Sequence, residues 1–156
     1  MATESFEEFC RRHESAVVRS MYLMTGDRQD AWDLAQEAFA RAFERWSSVG
    51  QLDKPEWWVH KVATNLAISA RRRRPVAERL AAPAGVEDAL PEPELREAVL
   101  ALPPAQRAVI VLRFFLDWSV HDTARALRKR QGTIRALTSQ GIGTLRRTIP
   151  QPEMEV

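Results

Sequence analysis

The sequence predicts an all-α protein made of two small helical domains joined by a flexible linker. Three observations carry this expectation. Apolar residues recur every three or four positions in one stretch after another, the period of a helix that buries one face. No stretch alternates residue by residue, as a half-buried strand would. Between the two sets of helical stretches, residues 75–93 hold Ala81-Ala82-Pro83-Ala84-Gly85 together with Pro75, Asp88 and Pro91, a composition that favours a tether over packed structure. The expected layout is a first domain over 1–74, a linker over 75–93, a second domain over 94–149 and a short tail over 150–156.

In the first domain, Phe6, Phe9, Cys10, Val17, Met21 and Met24 share one helical face, and Gly26 offers a stop. A second helix is expected from Arg28, burying Ala31, Leu34, Ala35, Ala38, Phe39, Ala42 and Trp46. Asp30, Asp33, Glu37, Arg41 and Glu44 lie on its other face. A loop is expected over 47–54, and Pro55 suits the first turn of a third helix. That helix turns Val59, Val62, Ala63, Leu66 and Ala70 inward and runs to about Arg74, where Pro75 ends it. Trp58, Lys61, Asn65 and Arg72 form its remaining stripe. In the second domain, a helix over 94–102 is expected to stop before Pro103-Pro104, and another to run to Phe115. Ser119 is a good N-cap for a short helix to Leu127. Arg128-Lys129-Arg130 makes a turn, and a last helix reaches about Thr148.

The composition excludes several classes of function. A lone cysteine, Cys10, cannot form an intramolecular disulfide and argues against a cysteine-based zinc site; it reads as a core residue. The three histidines are scattered, so no metal-ligand cluster emerges. Apolar runs are too short for a membrane span, and the acidic first residues do not resemble a secretory signal. The cytosol is the expected compartment, and no cofactor is expected. Asp33 and Glu37 could pair on one helix face, but no base, nucleophile or metal ligand converges on them.

The net charge of +2 hides a segregated pattern. Every charge between Trp57 and Arg74 is positive, as is every charge between Arg125 and Arg147. Two basic blocks, each following an acidic stretch, suit two contacts with a polyanion. The second block sits on paired helices with a short turn, the form of a helix-turn-helix whose second helix enters a major groove. On that helix Gln131, Arg135 and Ser139 share a face opposite Ile134 and Leu145. Gln and Arg bond base edges bidentately, and Lys129, Arg130 and Thr133 at the turn and first helical residues suit phosphates. Ala124 is small where the two helices cross, and Leu127 and Ile134 can share their core.

Several motifs make a family resemblance. Residues 102–119, LPPAQRAVIVLRFFLDWS, resemble the pattern LPxxxRxVxxLRxxxxxS that opens region 4 of sigma factors, and Gly132-Thr133-Ile134-Arg135 is similar to the GTVK of its recognition helix. Upstream, Asp33-Leu34-Ala35-Gln36-Glu37-Ala38-Phe39 is similar to the region 2 pattern DLxQExF. Trp58, Ala63, Asn65, Ala67 and Arg71 to Arg74 follow its WLxxIAxNxAxDxxRR helix, with Ser69 in place of the Asp. In order and extent the chain resembles the extracytoplasmic-function group of the sigma-70 family, which keeps only regions 2 and 4.

The resemblance implies partners and roles. Asp30, Asp33, Gln36 and Glu37 would dock on the β′ clamp helices of RNA polymerase, whose arginines pair well with carboxylates. Region 4 would sit on the β flap. Trp58, Lys61, Asn65 and Arg72 would follow the opened −10 strand, with a flipped base held by the loop before them; one of Trp57 and Trp58 is expected in the core. Lys129, Arg130, Gln131, Thr133, Arg135 and Ser139 would meet the −35 element. The linker would thread the RNA exit path, and an anti-sigma factor is a common partner in the family. The chain departs from the pattern at Arg128, where the family favours Gly, at Leu137 in place of a common DNA-contacting Arg, and at Gly141 and Gly143 in a helix interior. The residues alone also allow a stand-alone helix-turn-helix regulator, or an adaptor that binds polymerase without reading −35 DNA.

Overall fold

The computed structural model describes residues 4–73 and 91–149. The chain divides into two compact units, Met1–Ala89 and Leu90–Val156. The described residues form helices and no strands. Most of the expected linker and all of the tail lie outside the described residues, as do the side chains of 70–73.

In the first unit, α1 spans Phe6–Thr25 and begins where the Ser5 hydroxyl accepts the backbone N–H of Glu8. It ends at Gly26, whose φ of 72° lets its N–H return to the Tyr22 carbonyl. Helix α2, Arg28–Glu44, is capped by Asp27 accepting the N–H of Asp30. Its fully buried positions are mainly alanines (Ala31, Ala35, Ala38 and Ala42). With small side chains at most of its inward positions and Phe39 among them, α2 packs against α1 and against α4, which spans Pro55–Arg73. Phe9, Val17, Met21 and Leu23 of α1 and Val59 and Ala63 of α4 complete the core. At its edge Phe9 stacks obliquely on Trp46 with ring centres 4.9 Å apart, and Phe6 meets Phe43 at 5.1 Å.

Some details differ from expectation. Leu34, Val62 and Leu66 are half-buried, lying off the centre of the inward stripes of their helices. Trp46, expected within the second helix, is half-buried beyond its end, because α2 stops at Glu44 and the chain turns at Arg45. Cys10 is likewise half-buried, and burial together with Glu14 pushes its thiol pKa up. The loop expected over 47–54 is partly a helical turn, α3, Trp46–Val49. Gly50 closes that turn so tightly that a Cβ there would lie 2.9 Å from the Trp46 carbonyl oxygen.

In the second unit, α5 spans Pro93–Leu100, starting one residue and stopping two residues earlier than expected, and α6 spans Pro104–Ile110. The helix then widens to a π-turn over Val111–Phe115, where the Leu116 N–H reaches the Val111 carbonyl at 3.1 Å. The extra residue keeps Val111 and Leu112 buried and leaves Phe114 exposed. Helix α7, Val120–Leu127, begins at Ser119, whose hydroxyl accepts from the Asp122 N–H at 3.0 Å and donates to its carboxylate at 2.8 Å. After the turn, α8 spans Gln131–Thr148. Val109, Ala124 and Ile134 form the seam between these helices, flanked by Val120, Leu127 and Leu137.

Two departures from the family pattern acquire physical reasons. Arg128 takes the left-handed conformation, φ 55°, so the turn keeps the backbone that glycine usually supplies. Gly141 is buried where α8 crosses α6: a Cβ there would lie 2.9 Å from Ile110 Cγ1 and 3.1 Å from Cδ1. Its absent side chain therefore permits a close helix crossing. Gly143 has no such neighbour within 4 Å.

Candidate nucleic-acid interface and docking face

The alanine face of α2 leaves its opposite side at the surface. Asp33, Gln36 and Glu37 are exposed there, and Asp30 is half-buried one turn earlier. Each exposed group has a partner in the chain. Gln29 donates to Asp33 Oδ1 at 2.9 Å, and Arg41 donates to Glu37 Oε1 at 3.1 Å. Gln36 donates to Glu14 Oε1 at 2.8 Å, which brings an α1 carboxylate onto the same face. Glu14 and Gln36 are 22 positions apart, so no helical period in the sequence links them. The bonds at α2 are surface contacts and yield to a competing guanidinium at small cost.

On α4, Lys61 and Asn65 are exposed and Trp58 is half-buried beside them. Arg72 lies in the same helix, but its side chain is outside the described residues. Trp57 is half-buried too, so neither tryptophan is wholly in the core. The opposite side of α4 carries His60 and Thr64, both buried. Burial pushes the His60 pKa down to about 4, with the charges of His13 and Arg19 acting in the same direction. His60 is accordingly a neutral internal residue.

In the second unit, Lys129, Arg130, Gln131, Thr133, Arg135 and Ser139 are all exposed, from the turn through the first half of α8. The first turn of α8 contains no acid, so its free N–H groups keep their positive end for an anion. Arg135 and Ser139 also line an open groove of about 510 Å³ together with Arg113 and Arg146. One Arg113 N–H donates to the Trp118 carbonyl at 2.5 Å, which steadies the side chain at the groove wall. In the sequence Arg113 stands only as part of a motif, and it is the fold that brings the continuation of α6 beside α8.

Among the described residues, no cluster of three His, Cys, Asp or Glu could hold a metal ion. No described helix is long and apolar enough to cross a membrane. An acidic helix face in one unit and a basic helix-turn-helix in the other are the features to be explained. Residues 9–75 match the family model Sigma-70 region 2, and residues 93–145 match Sigma-70, region 4. The chain belongs to the sigma-70 family.

The relatives narrow this to its extracytoplasmic-function group. The RNA polymerase sigma-E factor of Streptomyces avermitilis is 27% identical over 157 residues, covering 96% of this chain and 88% of that protein. The ECF RNA polymerase sigma factor SigE of Mycolicibacterium smegmatis is 32% identical over 159 residues, covering 93% of this chain and 62% of that one. In fold, the chain is similar to the sigma factor RpoE of Bartonella quintana, solved with the anti-sigma factor NepR. That match has a TM-score of 0.72 at 19% identity and covers 92% of this chain and 95% of the other. This sigma factor directs RNA polymerase to promoters and takes part in initiating transcription.

Proposed function

We propose a division of labour among the surface residues of this sigma factor. Asp30, Asp33, Gln36 and Glu37 dock the β′ clamp helices, and the second unit rests on the β flap. Trp58, Lys61, Asn65 and Arg72 follow the melted −10 strand, where a basic stripe beside an aromatic ring suits single-stranded DNA. Lys129, Arg130, Thr133 and Ser139 hold −35 phosphates, while Gln131 and Arg135 reach base edges. The linker threads the RNA exit path. The observation that carries this reading is the pairing of an acidic face on α2 with a fully buried alanine face behind it. Such a helix presents its carboxylates from a rigid base, and carboxylate–arginine pairs are directional enough to fix a partner's pose.

The protein works in the cytosol and supplies no chemistry of its own; polymerase makes the bonds. An anti-sigma factor that covers the docking face is the corresponding regulator, as NepR accompanies RpoE in the Bartonella quintana structure. With a net charge of only +2, the free protein binds duplex DNA weakly and gains affinity within holoenzyme.

Run-off transcription with core polymerase and genomic promoter fragments tests these roles. The protein is expected to confer promoter-dependent initiation, and Asp33→Ala with Glu37→Ala to lower polymerase affinity roughly 10- to 100-fold, as lost charge-assisted hydrogen bonds do. Polymerase binding without initiation would make the chain an adaptor. Tight, sequence-specific DNA binding without polymerase would make it a stand-alone regulator.

A further inference from the structure

The turn between α7 and α8 brings together two side chains that no motif connects. His121 is the second residue of α7, and Gln131 is the first of α8. Both are exposed, and the Gln131 amide nitrogen lies 3.3 Å from His121 Nδ1. A neutral imidazole with its proton on Nε2 offers Nδ1 as an acceptor. The amide therefore turns its NH₂ group toward the ring.

The consequence lies in what remains of the amide. A Gln NH₂ has two hydrogens, one on the same side as the carbonyl oxygen and one pointing away. If His121 accepts the hydrogen that points away, the other N–H and Oε1 stay free, side by side. One donor beside one acceptor matches adenine in the major groove, which shows the N7 acceptor next to the N6 donor. Guanine shows two acceptors at that edge and matches poorly. An unrestrained Gln would have to lose its rotamer freedom on binding, and could flip its amide to present either arrangement. The His121 bond removes both costs before DNA arrives. It also leaves the ring's Nε2–H as a donor on the helix that crosses the DNA backbone, where phosphate oxygens accept.

We propose that His121 is a positioning residue that orients the Gln131 amide to read an adenine in the −35 element. This role rests on the proposed contact between the exposed face of α8 and −35 DNA, and it adds a base identity and a second residue to that contact.

The test uses holoenzyme assembled from core polymerase and the full chain, with duplex promoters randomised across the −35 element. Gln131→Ala locates the base position that Gln131 reads. At that position the native protein is expected to prefer adenine by roughly 10-fold or more, within the range of a bidentate pair. His121→Ala is expected to remove most of that preference while leaving the other positions unchanged. His121→Gln, whose Oε1 can accept the same amide hydrogen, is expected to restore it. The double variant with Gln131→Ala should show no loss of base preference beyond that of Gln131→Ala alone, since the two residues read the base as one unit.

If His121→Ala leaves the adenine preference intact, or weakens binding equally at every base, the pairing is overturned and the contact of α8 with DNA stands. If Gln131→Ala changes no base preference, the base-reading role of Gln131 falls, and the pairing with it. Unchanged helix content, melting and polymerase affinity in each variant separate these outcomes from misfolding.

Discussion

Replacing Gly141 or Gly143 by alanine applies the same chemical change two residues apart on one helix, with opposite expected signs. Any glycine in a helix interior costs about 1 kcal/mol relative to alanine, so both substitutions start with that gain. At Gly143 nothing lies within 4 Å of the new methyl, and the gain stands. At Gly141 the methyl would sit 2.9 Å from Cγ1 and 3.1 Å from Cδ1 of Ile110, a residue only 2% exposed. Cγ1 is near the root of a branched side chain held in the α6–α8 crossing, so relief requires a backbone shift. Overpacking of this kind costs about 1–3 kcal/mol. Gly143→Ala should therefore stabilise by about 1 kcal/mol, and Gly141→Ala should destabilise by up to about 2 kcal/mol. For a unit of this size each kcal/mol corresponds to roughly 4–8 °C in Tm. Urea titration of the full chain, followed by hydrogen exchange at α6 and α8 amides, reports on the second unit alone. Ile110→Ala, which removes both crowding atoms, should cost less in the Gly141→Ala background than in the native chain. Equal shifts for the two glycine variants would refute a close crossing at Gly141.

Three further outcomes follow from local geometry. Ser119→Ala deletes the cap of α7 and should lower the stability of the second unit by about 1 kcal/mol, measured by the same exchange experiment; an unchanged value would mean that the Asp122 N–H finds another acceptor. Arg128→Gly relieves a left-handed non-glycine residue and should raise stability by up to about 1 kcal/mol; a loss would show that the arginine side chain holds the turn by other means. His60 titrates near pH 4 in the folded chain and near 6.5 in the unfolded one. The unfolded state thus binds more protons between these values, and stability present above pH 6.5 is lost as pH falls toward 4, by about 3 kcal/mol at the acid limit. His60→Leu should flatten that stretch of the stability–pH curve in urea titrations, whereas an unchanged slope would assign the acid limb to other groups.

The legible parts of this protein are those that depend on neighbours in sequence. Helix periods placed α1, α2 and α4 and the acidic face of α2, because a residue's neighbours on a helix are three and four positions away. Gly26 and Ser119 bound helices through bonds that reach no more than four residues. The order of the region 2 and region 4 motifs led to the family, since those motifs are local strings.

The remainder depends on where distant segments meet. Gly141 reads as a weak point of its helix until Ile110, from another helix, is found against it. Glu14 joins Gln36 across 22 positions, and His121 joins Gln131 across a turn of reversed direction. His60 carries the marks of a polar surface residue in a basic block, and packing against α1 makes it a neutral internal one. A one-dimensional pattern assigns each residue a face of its own helix, but the residue opposite that face comes from the crossing of helices. Helix identity, helix ends and the order of motifs were therefore set within the chain's local stretches. The close crossing at Gly141, the internal state of His60 and the pairing at the head of α8 arose only when those helices packed, because each depends on atoms supplied by a second helix.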